Sequence, residues 1–359
     1  AAPGLVVPHL RDELDLSYTV GGLHVAAFAA GSLVAGLASS RLEVAIGRRA
    51  LLWSSAVLLC VGTVGLTAGK LAVVTIAAVL VMGLGGGLLL ATIQAMLADH
   101  HHEHSTVALT EANVAASIAY VVLIGAFALA AALEVGWRAA LLVSLVVPAL
   151  VWWTNRRLAI ETAAPHPDQE RVGLPRAFWV AAAVLVCVTA AEWCVTAWGA
   201  TFVDDEVGVS TDTAVSLMVG YFGGVVVGRT AGSRLARRHD PSRLLAVALA
   251  IAAIGFAVLW PSGSPAQAVV GLALLGVGIG NLFPMALSLA VSLAPGRAGA
   301  ASGRAVMMTS LAVLLAPLTV GALADATSLK LALVVVPVLL VLAATGLAGV
   351  RRARAATLV

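Results

Sequence analysis

Apolar residues run through this chain in long unbroken stretches separated by short polar connections. The stretches lie near residues 17–40, 50–69, 72–97, 105–133, 138–154, 177–203, 213–233, 242–260, 266–291, 300–324 and 330–350. Each is near the length at which a helix crosses about 30 Å of hydrocarbon. They are continuously apolar and rich in Ala, Leu and Gly, with none of the alternation of a barrel strand. An all-α polytopic membrane protein is therefore predicted. One stretch carries "AEWCVTAW" (191–198), a glutamate beside a tryptophan where a charge is expensive.

Composition sharpens this picture. The chain is 61% hydrophobic and only 11% charged over 359 residues, far from the usual quarter of charged residues in soluble domains. Cys60, Cys187 and Cys194 all fall in predicted spans with no paired spacing, so neither a disulfide framework nor a zinc site is indicated. A pI near 9.0 does not imply nucleic acid, because the basic residues sort by side of the membrane. Arg41, Arg48, Arg49, Arg156, Arg157, Arg171, Arg176, Arg234, Arg237, Arg238, Arg243, Arg297, Arg304, Arg351, Arg352 and Arg354 fall in or beside alternate connections and the C-terminal tail. The other connections hold Arg11, Lys70, Arg138 and Lys330 with the acidic clusters Asp12, Glu13, Asp15 and Asp204, Asp205, Glu206. Basic loops stay in the cytoplasm, which puts the C-terminus inside and the first residues of this chain outside.

An internal repeat gives the architecture. Gly83, Gly85 and Gly87 recur as Gly276, Gly278 and Gly280; Ser40, Arg41 and Leu42 as Ser233, Arg234 and Leu235; Ser117 as Ser310. Every pair is 193 residues apart, and one offset across three separate helices indicates two homologous halves. The same offset maps Cys194 to Val203 onto Ala1 to Leu10, so the chain is expected to begin inside its own first helix, with six helices plus six as the full count. The expected division is an N-terminal half over 1–158, a polar, proline-containing cytoplasmic linker over 159–176, and a C-terminal half with a short basic tail over 177–359.

Twelve-helix topology, the repeat and one loop together resemble the major facilitator superfamily over essentially the whole chain. The loop after helix two there carries G-x-L-A-D-R-x-G-R-R, and "GLASSRLEVAIGRR" (36–49) looks like an extended version of it. Gly36, Arg41, Gly47, Arg48 and Arg49 match, whereas Ser stands for the usual Asp; "GRTAGSRLARR" (228–238) is a looser second copy. Asp99 ends helix four near Arg48 and Arg49 and is expected to lock this loop motif electrostatically. Helix five (113–133) lacks the proline of the drug exporters' G-P-x-x-G-type motif, and "GNLFPMALSLA" (280–290) with "EWCVTAW" looks more like sugar-permease-like branches.

Polar residues inside the spans are the candidate machinery. An ionised Glu192 near midplane costs several kcal/mol, roughly 3 on insertion scales, unless it faces water or a partner. It is either a proton- or substrate-handling group or a structural hydrogen bond to a neighbouring helix. Trp193, Trp198 and Tyr221 offer flat faces for a sugar ring or an aromatic or cationic solute. Thr196 shares the face of Glu192, whereas Trp198 divides between a cavity role and an interface belt near the outer leaflet. Glu111 and Arg229 lie about 8 to 9 Å deep from the basic side. The resemblance implies that their helices pack across the boundary between halves, as an ion pair gating the cytoplasmic entrance; otherwise Arg229 snorkels to lipid phosphate or braces the loop motif. Arg304, at the repeat position of Glu111, suits an anionic or polyhydroxyl solute or a lipid headgroup. Asn281, with Asn113 and Gln94, is helix glue or ligand contact, and His24 is a lone titratable candidate. "DHHHEH" (99–104) reads as a solvated loop rather than a metal site, since ligands on adjacent residues diverge.

There is no G-x-x-x-x-G-K-[ST] loop, catalytic serine elbow or H-E-x-x-H motif, so neither ATP-driven transport nor an enzyme is expected, and no cofactor. The resemblance implies a monomeric secondary transporter of a small organic solute in a bacterial inner membrane, working by alternating access. Protons acting through Glu192 and Glu111 are the expected coupling ion. Proton-driven export of a hydrophobic compound is the alternative, and a non-transporting solute receptor or scaffold is the alternative of another class.

Overall fold

The computed structural model describes residues 2–101, 105–157, 160, 173–236, 238–295 and 297–357. All regular structure among them is helical: α1 (Ala2–Leu14), α2 (Tyr18–Ile46), α3 (Arg48–Ala68), α4 (Ala72–His101), α5 (Ser105–Ala132), α6 (Trp137–Ser144), α7 (Val146–Asn155), α8 (Arg176–Val207), α9 (Thr211–Leu217), α10 (Val219–Leu235), α11 (Pro241–Leu259), α12 (Pro265–Ser292), α13 (Ala298–Ala326), α14 (Leu329–Ala332) and α15 (Val335–Thr357). Eleven helical stretches among the described residues are long and apolar enough to cross a membrane, and they match the eleven predicted from hydrophobicity one for one. The fold is all-α. It divides into two compact units, Ala2–Pro167 and Asp168–Val359; the linker expected at 159–176 lies mostly outside the described residues.

In the N-terminal unit α4 packs against both α2 and α3, and glycine makes this possible. A methyl on Gly83 would run into the carbonyl oxygen of Phe28 on α2, and one on Gly85 would stand 2.5 Å from the amide nitrogen of Leu59 on α3. Helix backbones this close gain packing contacts that no larger side chain permits, which is how helices associate where lipid is as apolar as they are. α2 and α3 are joined by Gly47 alone, at φ +80°, a conformation that L side chains rarely adopt. The fifth predicted stretch is two helices meeting at Leu145, whose N–H bonds back three residues to Leu142 at 3.1 Å. Pro148 explains the break, because it cannot donate to the carbonyl of Ser144.

The C-terminal unit repeats this construction at the same offset. Gly276 meets the carbonyl of Tyr221 on α10, and Gly278 meets the backbone of Ala252 and Ala248 on α11. Tyr221, Ala252 and Ala248 stand 193 residues after Phe28, Leu59 and Ser55, so the repeat read from sequence is a repeat of contacts. Asp15 (φ 51°) and Gly208 (φ 68°) end the first helix of each unit at equivalent positions, and Ser17 and Ser210 cap the next. α1 aligns with the last 13 residues of α8, Val195 to Val207.

Each unit is also clamped at its acidic end. Glu13 accepts from the Trp137 indole N–H and from Arg138, each at 2.7 Å, and the Arg138 Nε–H reaches the carbonyl of Thr67 at 2.9 Å, tying α1 and α3 to α6. Glu206, the repeat position of Glu13, pairs with Lys330 on α14. Burial pushes the Glu13 carboxyl up, but the hydrogen bonds from Arg138 and Trp137 outweigh it and hold the group below its usual value.

Two outcomes are expected. Gly276→Ala forces α12 away from α10 and lowers stability in detergent by about 1–3 kcal/mol, whereas Gly125→Ala, with open space around it, does not; thermal unfolding of both variants checks this. Because Glu13 titrates lower in the folded protein, its clamp stabilises above the ordinary carboxylate range, and that contribution disappears as pH falls through its folded value. Glu13→Gln therefore lowers the melting temperature at pH 7 by an amount worth at most about 1 kcal/mol for so exposed a pair, and the difference from wild type closes in acid.

Candidate functional site

The polar residues of the C-terminal unit converge on the seam between α10 and α12. Gly220, Gly224, Gly228 and Gly232 repeat every fourth residue along one face of α10, so the backbone of α12 lies directly against it. Asn281 fills the space beside Gly232 and donates from Nδ2 to the carbonyl of Gly228. Arg229 follows Gly228 and stands at the edge of this seam. Its Nε–H points to the carbonyl of Gly280 at 3.4 Å, and its Nη2 lies 4.0 Å from Oε1 of Glu192 on α8. The two side chains keep 29% and 20% of their surface exposed, so the pair is sheltered but not sealed. One turn further along α8, the hydroxyl of Thr196 meets that of Tyr221 at 3.3 Å.

This arrangement joins three helices through one guanidinium. At 4.0 Å the carboxylate and guanidinium interact through space rather than by a short hydrogen bond, so either can take another partner without first breaking a tight bidentate contact. Protonating Glu192 would cancel its charge and remove its through-space attraction for the Arg229 guanidinium.

The other expected residues separate into supports and open positions. Tyr221 and Asn281 are buried and bonded within the unit. Trp198 takes neither place expected of it: it is fully buried and its indole N–H donates to the carbonyl of Pro317 on α13 at 2.9 Å, which leaves no ring face for a solute or a membrane interface. Trp193 on α8 and Arg304 on α13 are half-buried, and Glu111 is exposed on α5. His24 is buried between α2 and α4, with Nδ1 2.8 Å from the carbonyl of Val20 and Nε2 2.8 Å from the hydroxyl of Thr75. A carbonyl only accepts, so Nδ1 carries a proton and the ring joins the two helices. The three cysteines are free, and no cluster of three metal ligands occurs among the described residues, which exclude 102–104 of the histidine-rich turn.

In the N-terminal unit the loop motif closes on Arg48. Its guanidinium is 6% exposed and meets Glu43 at 2.7 Å and Asp99 at 2.8 Å, so the start of α3 holds the end of α2 and the end of α4 together. Arg49 donates to the carbonyl of Arg156, whereas Arg41 and Gly36 face outward. Sequence reasoning found Asp99 but missed Glu43, whose signal is an acid five residues before the arginine across the glycine turn. It also missed Glu192 as a partner of Arg229. Glu192 stands midway along the 32 residues of α8, and depth counted separately along α8 and α10 does not bring the two residues together.

Arg48→Ala leaves Asp99 and Glu43 facing each other without their cation. It is expected to destabilise the protein by about 3 kcal/mol or more, whereas Arg41→Ala stays within about 0.5 kcal/mol; thermal unfolding in detergent separates the two.

Comparisons with known proteins agree with this architecture. Among solved structures, a bacterial homolog of the human lysosomal transporter Spinster, in an inward-facing and occupied conformation, superposes with a TM-score of 0.79 at 15% identity, covering 97% of this chain and 92% of that one. The nucleoside transporter NupG gives 0.76 at 11% identity, with 97% and 94% covered. The E. coli fucose:proton symporter gives 0.62 at 15% identity, with 97% and 96% covered. At these identities the likeness is one of fold. No curated protein matches the chain by sequence. The sequence model of the Major Facilitator Superfamily matches residues 1–214 and again 181–357. Matched along essentially its whole length, the chain belongs to the Major Facilitator Superfamily, a family of membrane transporters and not of enzymes.

Proposed function

We propose that this protein is a proton-coupled secondary active transporter of a small organic solute, cycling by alternating access in a bacterial cytoplasmic membrane with its C-terminus in the cytoplasm. The observation that carries the reading is the Glu192–Arg229 pair, two opposite charges inside membrane spans at 4.0 Å, each partly exposed. Proton and solute then oppose the same contact: a proton neutralises the Glu192 carboxylate, and a polar or anionic solute group competes with that carboxylate for the Arg229 guanidinium. Proton and solute are thereby linked through one residue rather than through separate sites. Polar solute groups are assigned to Arg229, Thr196 and Arg304 and an apolar or ring face to Trp193, with Tyr221 and Asn281 holding the frame. Glu111 and Arg229 remain the proposed gate, and Glu111 a second proton carrier. The orientation follows from the excess of arginine in one set of loops.

The test is flux into liposomes loaded with a pH dye, screened with sugars, nucleosides, carboxylates and hydrophobic cations, for wild type and Glu192→Gln. A solute-dependent pH change is expected in wild type and its loss in the variant, with solute binding retained. Flux and pH change both unaltered in Glu192→Gln would make the glutamate structural, and solute binding without flux in the wild type would identify a receptor.

A further inference from the structure

The basic end of α7 carries a patch that the transport reading does not use. None of the ten residues of α7 is buried, and its sequence is layered: an apolar run from Val146 to Val151, then Trp152 and Trp153, then Arg156 and Arg157 just past its end. Four residues separate Trp152 from Arg156, a rise of about 6 Å. That order and spacing are those of a bilayer leaflet, with hydrocarbon, an interface that favours tryptophan, and phosphate.

Arg156 and Arg49 are held rather than loose. The Arg156 guanidinium lies over the Trp153 ring at 4.1 Å and 5.7 Å from the centre of Trp152, which fixes it at the level of the exposed indoles. Arg49, at the start of α3, donates to the carbonyl of Arg156 and so brings a second guanidinium beside it, with Arg157 exposed at the next position in the chain. Glu43 and Asp99, the acids at the ends of α2 and α4, are both engaged by the neighbouring Arg48. Arginine forks match the oxygen pairs of a phosphate, and each cation near an anionic membrane surface adds roughly 1 kcal/mol of attraction.

We propose that Arg49, Arg156 and Arg157 with Trp152 and Trp153 form a binding site for the headgroup of an anionic phospholipid. The phosphodiester sits between the guanidinium groups of Arg49 and Arg156, and the acyl chains run along the exposed apolar face of α7. The lipid thereby bridges α3 and the end of α7, which the Arg49 hydrogen bond also joins.

The experiment measures thermal unfolding of the full chain in a neutral detergent while phosphatidylglycerol, phosphatidylcholine or inorganic phosphate is titrated in. Phosphatidylglycerol is expected to raise the melting temperature of the wild type saturably, with phosphatidylcholine and phosphate giving less than a third of that shift. Arg156→Gln keeps the backbone carbonyl that Arg49 uses and is expected to lose at least half of the shift, and Arg49→Gln combined with Arg156→Gln nearly all of it. If the double variant does not fold, Arg156→Gln and Trp153→Leu singly carry the test. Arg351→Gln with Arg352→Gln, on the C-terminal tail, retains the full shift. Equal shifts in wild type and Arg156→Gln, or with phosphatidylcholine, overturn the proposal. A shift of the same size with inorganic phosphate assigns the patch to a free anion and overturns it as well.

Discussion

The close approach of helix backbones at α4 and α12 is the constraint on which each unit depends. In lipid no hydrophobic force pulls one apolar helix onto another, so association rests on packing contacts and polar bonds. Glycines supply the first. Gly83 and Gly85 let α4 meet two helices at once, and Gly276 and Gly278 do the same for α12. The polar bonds follow from that proximity. Arg229 reaches Gly280, and Asn281 reaches Gly228, because the seam is too tight for other side chains to intervene. The candidate site is therefore an outgrowth of the packing: remove the glycine seam and the guanidinium loses the carbonyl that aims it.

The two units share this frame but have spent it differently. The N-terminal seam carries His24 bonded to Thr75 and Ser32 bonded to the carbonyl of Gly83, both inside the packing. The C-terminal seam carries a charged residue where the N-terminal one has none: the repeat position of Arg229 is Gly36, which is outward-facing with open space around it. The converse holds at the loop. Arg48 gathers three helix ends in the N-terminal unit, whereas the corresponding turn of the C-terminal unit is capped by Asp240, which accepts from the amides of Ser242 and Arg243. A symmetric scaffold thus holds an electrostatic brace in one half and a titratable pair in the other.

Much of the fold was legible in the sequence because hydrophobic length, loop charge and a constant offset between glycines are all one-dimensional signals. Gly83 and Gly276 announce themselves as a pair before any coordinate is known. The site was legible only in part. Glu192 stands out as a charge among apolar residues, but its partner depends on how α8 packs beside α10 and on which side of α10 the glycine stripe falls, and neither is written in spacing alone. Trp198 shows the same limit from the other side. An indole near a predicted helix end suits a membrane interface, yet its position on α8 turns it toward Pro317 and into the interior.

The single-residue connection at Gly47 has a consequence for how the chain sits in the membrane. α2 and α3, of 29 and 21 residues, are joined by one glycine and so leave no slack between the end of one span and the start of the next. In the folded protein they stand as an antiparallel hairpin with its tip at Arg48 and Arg49. The tip must stay on the side where it starts, since dragging two guanidinium groups through hydrocarbon is prohibitive. The turn that shapes the loop motif in the finished protein therefore also anchors the α2–α3 hairpin to one side of the bilayer.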